Sequence, residues 1–469
     1  MSSLVWFRDD LRLHDHPALY AASLRNEPLQ AIYFVTPRQW KKHDLAPIKA
    51  DLMERQLNQL GAELAVLGIP LTVLTVDDYQ QLPQVLLNIC QQQRITQLFV
   101  NRDIGEYELQ RDLAVQQQCD AANIHVQWFD ARCVFAPGTV LTGSKEMFKV
   151  FTPFSNAWLK RLMAEGYQVW PKPVSRGEAL NWSPVQFAYP KVDSSAWPIG
   201  EDHVLARLRD FCAEKVYSYG EQRDFPAIAG TSQLSPYLAL GIISVRQCLA
   251  AIEAALDQLP FERGATGFVW LNELIWREFY QHLLVAFPHL SKHKAFKPDT
   301  EHVRWLWNET RFNAWCEGKT GYPIVDAAMR CLNQTGWMHN RLRMIVASFL
   351  TKDLHIDWRH GERYFMQQLI DGELAANNGG WQWAASTGAD AAPYFRIFNP
   401  TTQGQRFDEK GIFIKQWLPE LAKVPEKFIH TPHSWLAISQ TTHLYPAPIV
   451  EHAESRSIAL SLFRVVEDG

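Results

Sequence analysis

The chain has 469 residues, 47% hydrophobic and 20% charged, a composition that supports a buried core and excludes a disordered protein. No stretch reaches the roughly 18 consecutive apolar residues of a membrane span, and Arg8, Asp9 and Asp10 interrupt the start before a signal peptide's apolar run could build. With 46 Lys and Arg against 50 Asp and Glu, whole-chain charge predicts no nucleic-acid partner, and seven scattered cysteines without a Cys-x-x-Cys exclude a disulfide framework and a cysteine-based zinc site. The expectation is a cytoplasmic monomer with no membrane partner and no metal.

The N-terminal part, 1–131, alternates strand and helix patterns. Leu4–Phe7, Ala31–Val35, Leu71–Val76, Ile95–Val100 and Ile124–Phe129 read as five strands. Between the second and third, Met53, Leu57, Leu60, Leu64 and Leu67 recur on one helical face that Gly68 ends. Five strands with intervening helices predict an α/β doubly wound parallel sheet, with its ligand crevice at the C-terminal strand ends. Residues 132–200 hold seven of the 26 prolines and read as a long surface connector, with a helix around 155–163. From 201 to 469 the pattern is all-helical: Ser235-Pro236 opens one helix, and others are predicted at 267–287, 323–333 and 337–350.

Charge and tryptophan are unevenly placed. Residues 270–360 carry 12 Lys and Arg against 9 Asp and Glu, so a DNA-binding face would be a local patch. Nine of the 18 tryptophans lie between Trp270 and Trp383. There is no G-x-G-x-x-G after the first strand. Gly318-Lys319-Thr320 lacks the first glycine of a P-loop, because position 313 is Asn313. Neither H-E-x-x-H nor G-x-S-x-G occurs, so hydrolysis and ordinary nicotinamide chemistry lose ground.

Some residues have two readings. Trp270, Glu273, Trp276, Arg277 and Tyr280 share one helical face. They are either an amphipathic face with a Glu273–Arg277 ion pair, or a cavity wall with indoles for flat rings, a carboxyl for a polar edge and an arginine for phosphate. Gly230 to Ser235 places hydroxyls at a helix start, either as an N-cap or for a pyrophosphate. Asp371-Gly372-Glu373, followed by Asn377-Asn378-Gly379-Gly380-Trp381-Gln382-Trp383, reads as a poor structural core whose small residues let a backbone approach a ligand.

These motifs together resemble the DNA photolyase/cryptochrome family, close to the bacterial class I cyclobutane pyrimidine dimer type. The likeness runs from Val5-Trp6-Phe7-Arg8 through Trp270–Phe279, Thr320–Pro323, Trp337–Met344 and Asn377–Trp383, nearly the whole chain. It implies a C-terminal helical domain binding FAD, reduced in the active form. On this resemblance Tyr219, Thr231, Ser232, Gln233, Leu234 and Ser235 match phosphate and sugar contacts. Trp270, Arg343, Asp371, Gly372 and Glu373 match further FAD contacts, and Asn377 matches the group beside flavin N5. The family usually has Asp at the position of Glu373.

The resemblance further implies a dimer pocket of Glu273, Trp276, Asn340, Met344 and Trp383. Arg223, Arg341 and Gln403 match DNA contacts, and Arg277 is added as a phosphate ligand. Trp381, Trp358 and Trp305 match the chain that carries electrons from the surface to the flavin. His43, Glu108 and Lys292 match a 5,10-methenyltetrahydrofolate antenna site, although Tyr107 and Ser291 stand where a folate-binding relative carries Asn and Cys. The implied partner is DNA containing pyrimidine dimers, bound at the nucleoid. Asn340 and Met344 stand where a (6-4) photolyase carries histidines. A cryptochrome-type blue-light receptor without repair activity is the alternative; such proteins often add a C-terminal tail, whereas this sequence runs to Gly469.

Overall fold

Ser2–Phe7 forms β1, followed by β2 Leu29–Val35, β3 Leu71–Thr75, β4 Ile95–Asn101 and β5 His125–Phe129. The computed structural model describes residues 2–467, so Gly469 lies outside the described residues. All five strands are parallel, in the order β3-β2-β1-β4-β5, with Val5 opposite Ala31 on one side and Phe99 on the other. β1 is buried at every position, as a central strand covered on both faces must be, and its sequence is correspondingly an apolar run. The edge strand β3 is only half-buried and keeps threonines at both ends of its Val73-Leu74 centre.

The strand order reverses between β1 and β4, which is where a doubly wound sheet opens a crevice at its carboxyl ends. A solvent-open crevice of about 420 Å³ lies there, lined by Arg8 and Asp9 after β1, Asn101 and Asp103 at the end of β4, and Arg132 beyond β5. The helix Pro47–Val66 buries Met53, Leu57, Leu60 and Leu64 as its periodicity requires, and Gly68 takes the left-handed φ of 73° just past its end. In the connector, the helix is longer than foreseen, Phe151–Glu165, and buries Phe154, Trp158 and Leu162.

The compact units divide the chain differently from a break at 201. One unit holds residues up to 217 with 232–291 and 370–375; the other holds 218–231, 292–369 and the chain from 376. The helices Glu201–Asp210 and Val245–Leu256 belong with the sheet because buried polar bonds hold them there. The Glu201 carboxylate accepts the backbone N–H of Leu13 and His14, and Arg246 Nε meets Asp15 at 2.9 Å.

The second unit is built from helices around one hydrophobic cluster that includes Trp315, Trp358 and Trp381. Pro323–Thr335 and Asn340–Ser348 correspond to two predicted helices. The latter starts at its His339 cap, not at Trp337, and continues as a π-helical turn, Phe349–Asp353. Among the described residues, no helix is long and apolar enough to cross a membrane.

Candidate active site

In the sheet-bearing unit, the helix Phe268–Ala286 buries Leu271, Leu274, Ile275 and Phe279 and leaves Glu273, Trp276, Arg277 and Tyr280 half-buried. Trp270 is buried, tilted against Phe211 at 5.0 Å. Trp276 stacks face to face on Phe151, with ring centroids 3.6 Å apart and planes within 7°. One face of that indole is therefore taken by the protein. Arg277 corrects its expected role. Its guanidinium donates to the carbonyls of Arg132 and Leu238 and to Glu373 Oε1 at 3.1 Å, so it is turned inward and is not offered to a phosphate. It meets the carboxylate of Glu373, ninety-six positions away in the chain.

The segment 370–375 is clamped to the same unit. Lys49 Nζ, buried, donates to Gly372 O at 2.7 Å. Glu373 Oε1 accepts from Arg132 at 2.7 Å, Arg277 at 3.1 Å and Gln281 at 3.0 Å, which leaves Oε2 as the oxygen that can face a ligand. Ser235–Ala239 is a single helical turn opened by Pro236, but its N-cap is Leu234 and no hydroxyl caps it. The capping reading of this stretch is thereby corrected. Arg207 instead holds the preceding loop, donating to Ser232 O and Gln233 Oε1, with Gln233 in left-handed backbone at φ 51°.

Glu278 and His282, on the helix Phe268–Ala286, and Cys133, in the segment after β5, bring their polar atoms within 4.8 Å of one another. Burial pushes Glu278 up to about 7 and His282 down to about 4. Both Glu278 oxygens already accept N–H donors, from Val134 and from Trp158 Nε1. His282 Nδ1 accepts from Gly138, so Nε2 carries the ring proton. A carboxyl whose oxygens are both already engaged and a protonated ring nitrogen make this a poor donor set for a cation.

His43 and Glu108 are also in this unit and meet at 3.5 Å, with Tyr79 and Tyr107 edging the His43 ring and Gln39 bonded to it at 2.8 Å. Burial, then the nearby Asp103, pushes the Glu108 carboxyl up to about 7. Gln39 had no signal in the sequence beyond being a polar residue four positions before His43, and Tyr79, 36 positions after it, had none. Lys292 ends the short 3-10 turn Pro288–Lys292 and is counted in the other unit.

In the second unit, Arg223 and Arg341 converge on Asp224, at 4.0 and 2.8 Å. The Arg341 guanidinium also lies 4.4 Å over the Phe407 ring, on the helix Pro400–Phe407 that carries Gln403 one turn earlier. Arg223 lies over Tyr219 at 5.6 Å. Asn340 is exposed, and Arg341, Arg343 and Met344 are half-buried on the outer side of their helix. Thr231 is half-buried at the end of this unit's first segment.

The Asn-Asn-Gly-Gly-Trp-Gln-Trp run is helical, within Leu374–Ala385, and does have a core. Asn378 donates to Glu362 Oε1, and Gln382 donates to Lys294 O and Asn378 Oδ1, so the buried amides are satisfied. Asn377 Nδ2 donates to Glu362 O at 2.9 Å, which sets the amide's orientation. One turn on, Gly380 is exposed, and apart from the helix's own backbone and the adjoining residues no atom lies within 4 Å of where its Cβ would stand. A flat ring can approach that bare backbone closely. Trp383 is half-buried, 6.4 Å from Phe398. Trp358 and Trp381 are buried in the hydrophobic cluster, and Trp305 packs half-buried against it.

A family model described as the FAD binding domain of DNA photolyase matches residues 270–465, and one described as DNA photolyase matches residues 3–174. The chain is 52% identical to a deoxyribodipyrimidine photo-lyase of Escherichia coli over 99% of both chains. It is similar to the structure of a class III photolyase from Agrobacterium tumefaciens, with a TM-score of 0.87 and 33% identity over 100% of this chain and 98% of that one. A Synechocystis cryptochrome structure gives a TM-score of 0.88 at 28% identity, covering 98% of this chain and 99% of that one.

Proposed function

The chain belongs to the DNA photolyase family, and from that membership we propose that it splits cyclobutane pyrimidine dimers in DNA with light, as a carbon–carbon lyase that carries FAD. The carrying observation is the 52% identity to a deoxyribodipyrimidine photo-lyase across 99% of both chains. FAD is held through its phosphates and sugars by Tyr219, Thr231, Ser232, Gln233, Leu234 and Ser235, and through the remainder by Trp270, Arg343, Asp371, Gly372, Glu373 and Asn377. The bare backbone at Gly380, one turn from Asn377, fits a planar ring system.

When bound and reduced, FAD supplies an electron after absorbing light, so no nucleophile is needed. The residues of the chain handle the lesion. Photolyases are themselves a standing example of enzymes that take their target out of the base stack, and a damaged, poorly stacked base costs less to extrude. Trp276 and Trp383 receive the extruded bases, Trp276 on the ring face that Phe151 does not cover. Asn340 and Met344 complete that pocket. Glu273 hydrogen-bonds the lesion and stabilises the charge that arrives on it in a water-poor site. Holding Asn377 Nδ2 on Glu362 O keeps the amide oxygen in one orientation for a ring N–H.

Arg223, Arg341 and Gln403 bind the DNA backbone. Trp305, Trp358 and Trp381 return oxidised flavin to its reduced form by passing electrons inward from the surface. A 5,10-methenyltetrahydrofolate antenna is held by His43, Glu108 and Lys292, with Glu108 as the polar partner for the pterin edge. The test is illumination of a thymine-dimer oligonucleotide with the FAD-loaded, reduced protein. Restored thymines support the reading. A flavin-loaded protein that responds to blue light without repair makes it a cryptochrome-type receptor instead.

A further inference from the structure

The helix Trp358–Gln368 carries a glycine, Gly361, in its interior, where glycine lowers helix stability relative to alanine. Gly361 is buried and has no left-handed φ to explain it. What explains it is the indole of Trp381. A Cβ built on Gly361 would overlap Cη2 and Cζ3 of that ring and would stand 2.7 Å from Leu350 Cδ2. The benzo edge of Trp381 therefore rests on bare helix backbone.

The position along the helix matters. Trp358, Gly361 and Phe365 lie at intervals of three and four residues, so they form one stripe. Trp381 sits on that stripe, against Gly361 and edge-on to Phe365 with ring centroids 5.0 Å apart and planes at 79°. Its contact point is one turn from Trp358. Neither the Trp381 nor the Trp358 indole N–H has a hydrogen-bond partner among the described residues. The Arg359 guanidinium lies 4.7 Å over the Trp358 ring, whereas Trp381 is placed by packing against Gly361, Leu350 and Phe365.

We propose that Gly361 is a positioning residue for light-driven flavin reduction: by having no side chain it lets Trp381 settle against the helix that carries Trp358, at the short range electron transfer requires. The proposal rests on the reading of Trp381, Trp358 and Trp305 as an electron relay. In that relay Trp381 would give up an electron toward the flavin, Trp358 and then Trp305 would refill the vacancy, and an added thiol would restore Trp305, once for each of the two electrons that full reduction takes. Electron transfer weakens exponentially with distance, so displacing Trp381 by the width of a methyl group acts on the rate with little change of chemistry.

The experiment compares Gly361→Ala, Trp381→Phe and the double variant, each purified with FAD. Flavin absorbance under blue light with added thiol reports photoreduction, and thermal midpoints report stability. Gly361→Ala is expected to keep its FAD and to repair dimers once the flavin is reduced with dithionite, while photoreduction slows at least tenfold. Normal photoreduction in Gly361→Ala alongside a slowed Trp381→Phe overturns the positioning role. Normal photoreduction in Trp381→Phe overturns the relay on which it rests. If Gly361→Ala is too unstable to hold FAD, the midpoints decide. Phe lacks the two overlapping atoms, so alanine should lower the midpoint beside Trp381 and not beside Phe. Equal losses in both backgrounds refute the contact.

Discussion

Removing a negative charge beside the proposed DNA-contacting arginines should tighten binding, and removing one of the arginines should loosen it without regard to damage. Arg223 and Arg341 share the single carboxylate of Asp224, at 4.0 and 2.8 Å. The three groups together therefore offer a phosphate only part of the arginines' charge. Arg341 has a second support, the Phe407 ring at 4.4 Å, so it should hold its place without Asp224. In Asp224→Asn, the lost repulsion acts on a phosphate about 7 Å away, across the guanidinium. That is roughly 0.6 kcal/mol in bulk water and roughly 2.4 kcal/mol at a surface dielectric of about 20. A value of about 1 kcal/mol corresponds to affinity about fivefold tighter at low salt. The variant gives up a surface ion pair worth at most about 1 kcal/mol, so it should stay folded. Arg341→Ala removes one phosphate contact and should reduce the slope of log affinity against log salt by about 0.9. Fluorescence anisotropy with dimer-bearing and undamaged duplexes, from 50 to 200 mM salt, measures both effects. Weaker binding by Asp224→Asn, or a loss in Arg341→Ala confined to the lesion-bearing duplex, would refute the charge-sharing argument.

Three other outcomes are expected. Glu273→Ala should lower the quantum yield of repair more than it lowers lesion binding, because its carboxyl matters most once charge reaches the dimer; equal yields in variant and wild type would remove it from the chemistry. Trp305→Phe should keep fold and FAD, since Phe retains most of the apolar volume, yet photoreduce poorly while repairing normally after chemical reduction; unimpaired photoreduction would return Trp305 to packing. Burial, then the nearby Lys297, lowers the amine of Lys352 to about 7, even though it donates to Ser386 Oγ at 3.0 Å and lies 3.6 Å from the Phe463 ring. Above that pH the unfolded chain binds a proton that the folded one does not, so stability should rise with pH from about 7 toward 10, by up to about 1.4 kcal/mol per unit. Lys352→Met should lack that rise, and urea midpoints at pH 7, 8 and 9 that move in parallel for both proteins would contradict it.

The sheet was legible because its central strands are covered on both faces and so must be apolar throughout, as in Leu4–Phe7. The helix Phe268–Ala286 was legible for the same kind of reason, since its buried positions recur every three or four residues. The helix Leu374–Ala385 was not. Its interior is held by Asn378 and Gln382 bonding each other and Glu362, and paired amides look the same in sequence as a solvated loop. Arg277 misled for a related reason. Its guanidinium bonds Glu373, ninety-six positions on, which no local pattern announces. The unit boundaries were hidden likewise, because contacts such as Arg246 with Asp15 join positions 231 apart. Among the proposed site residues, Trp276 and Arg341 were named from the motif match. Their supports, Phe151, Asp224 and Phe407, were not.

The clamp on residues 370–375 also dictates an order of events during synthesis. Gly372 and Glu373 bond Lys49 and Arg132, partners 323 and 241 positions earlier. At roughly 5–20 residues per second, Glu373 leaves the ribosome roughly 12–48 s after Arg132. Closing a loop of that length costs about 5 kcal/mol of chain entropy, so the segment docks late and only onto a surface already formed. A nascent chain halted before residue 370 would hold its five strands with Lys49 buried and its carbonyl acceptor not yet made. Six residues near four-fifths of the way along the chain thus complete the first unit, and early-terminated products should be cleared by proteases even though their sheet is whole.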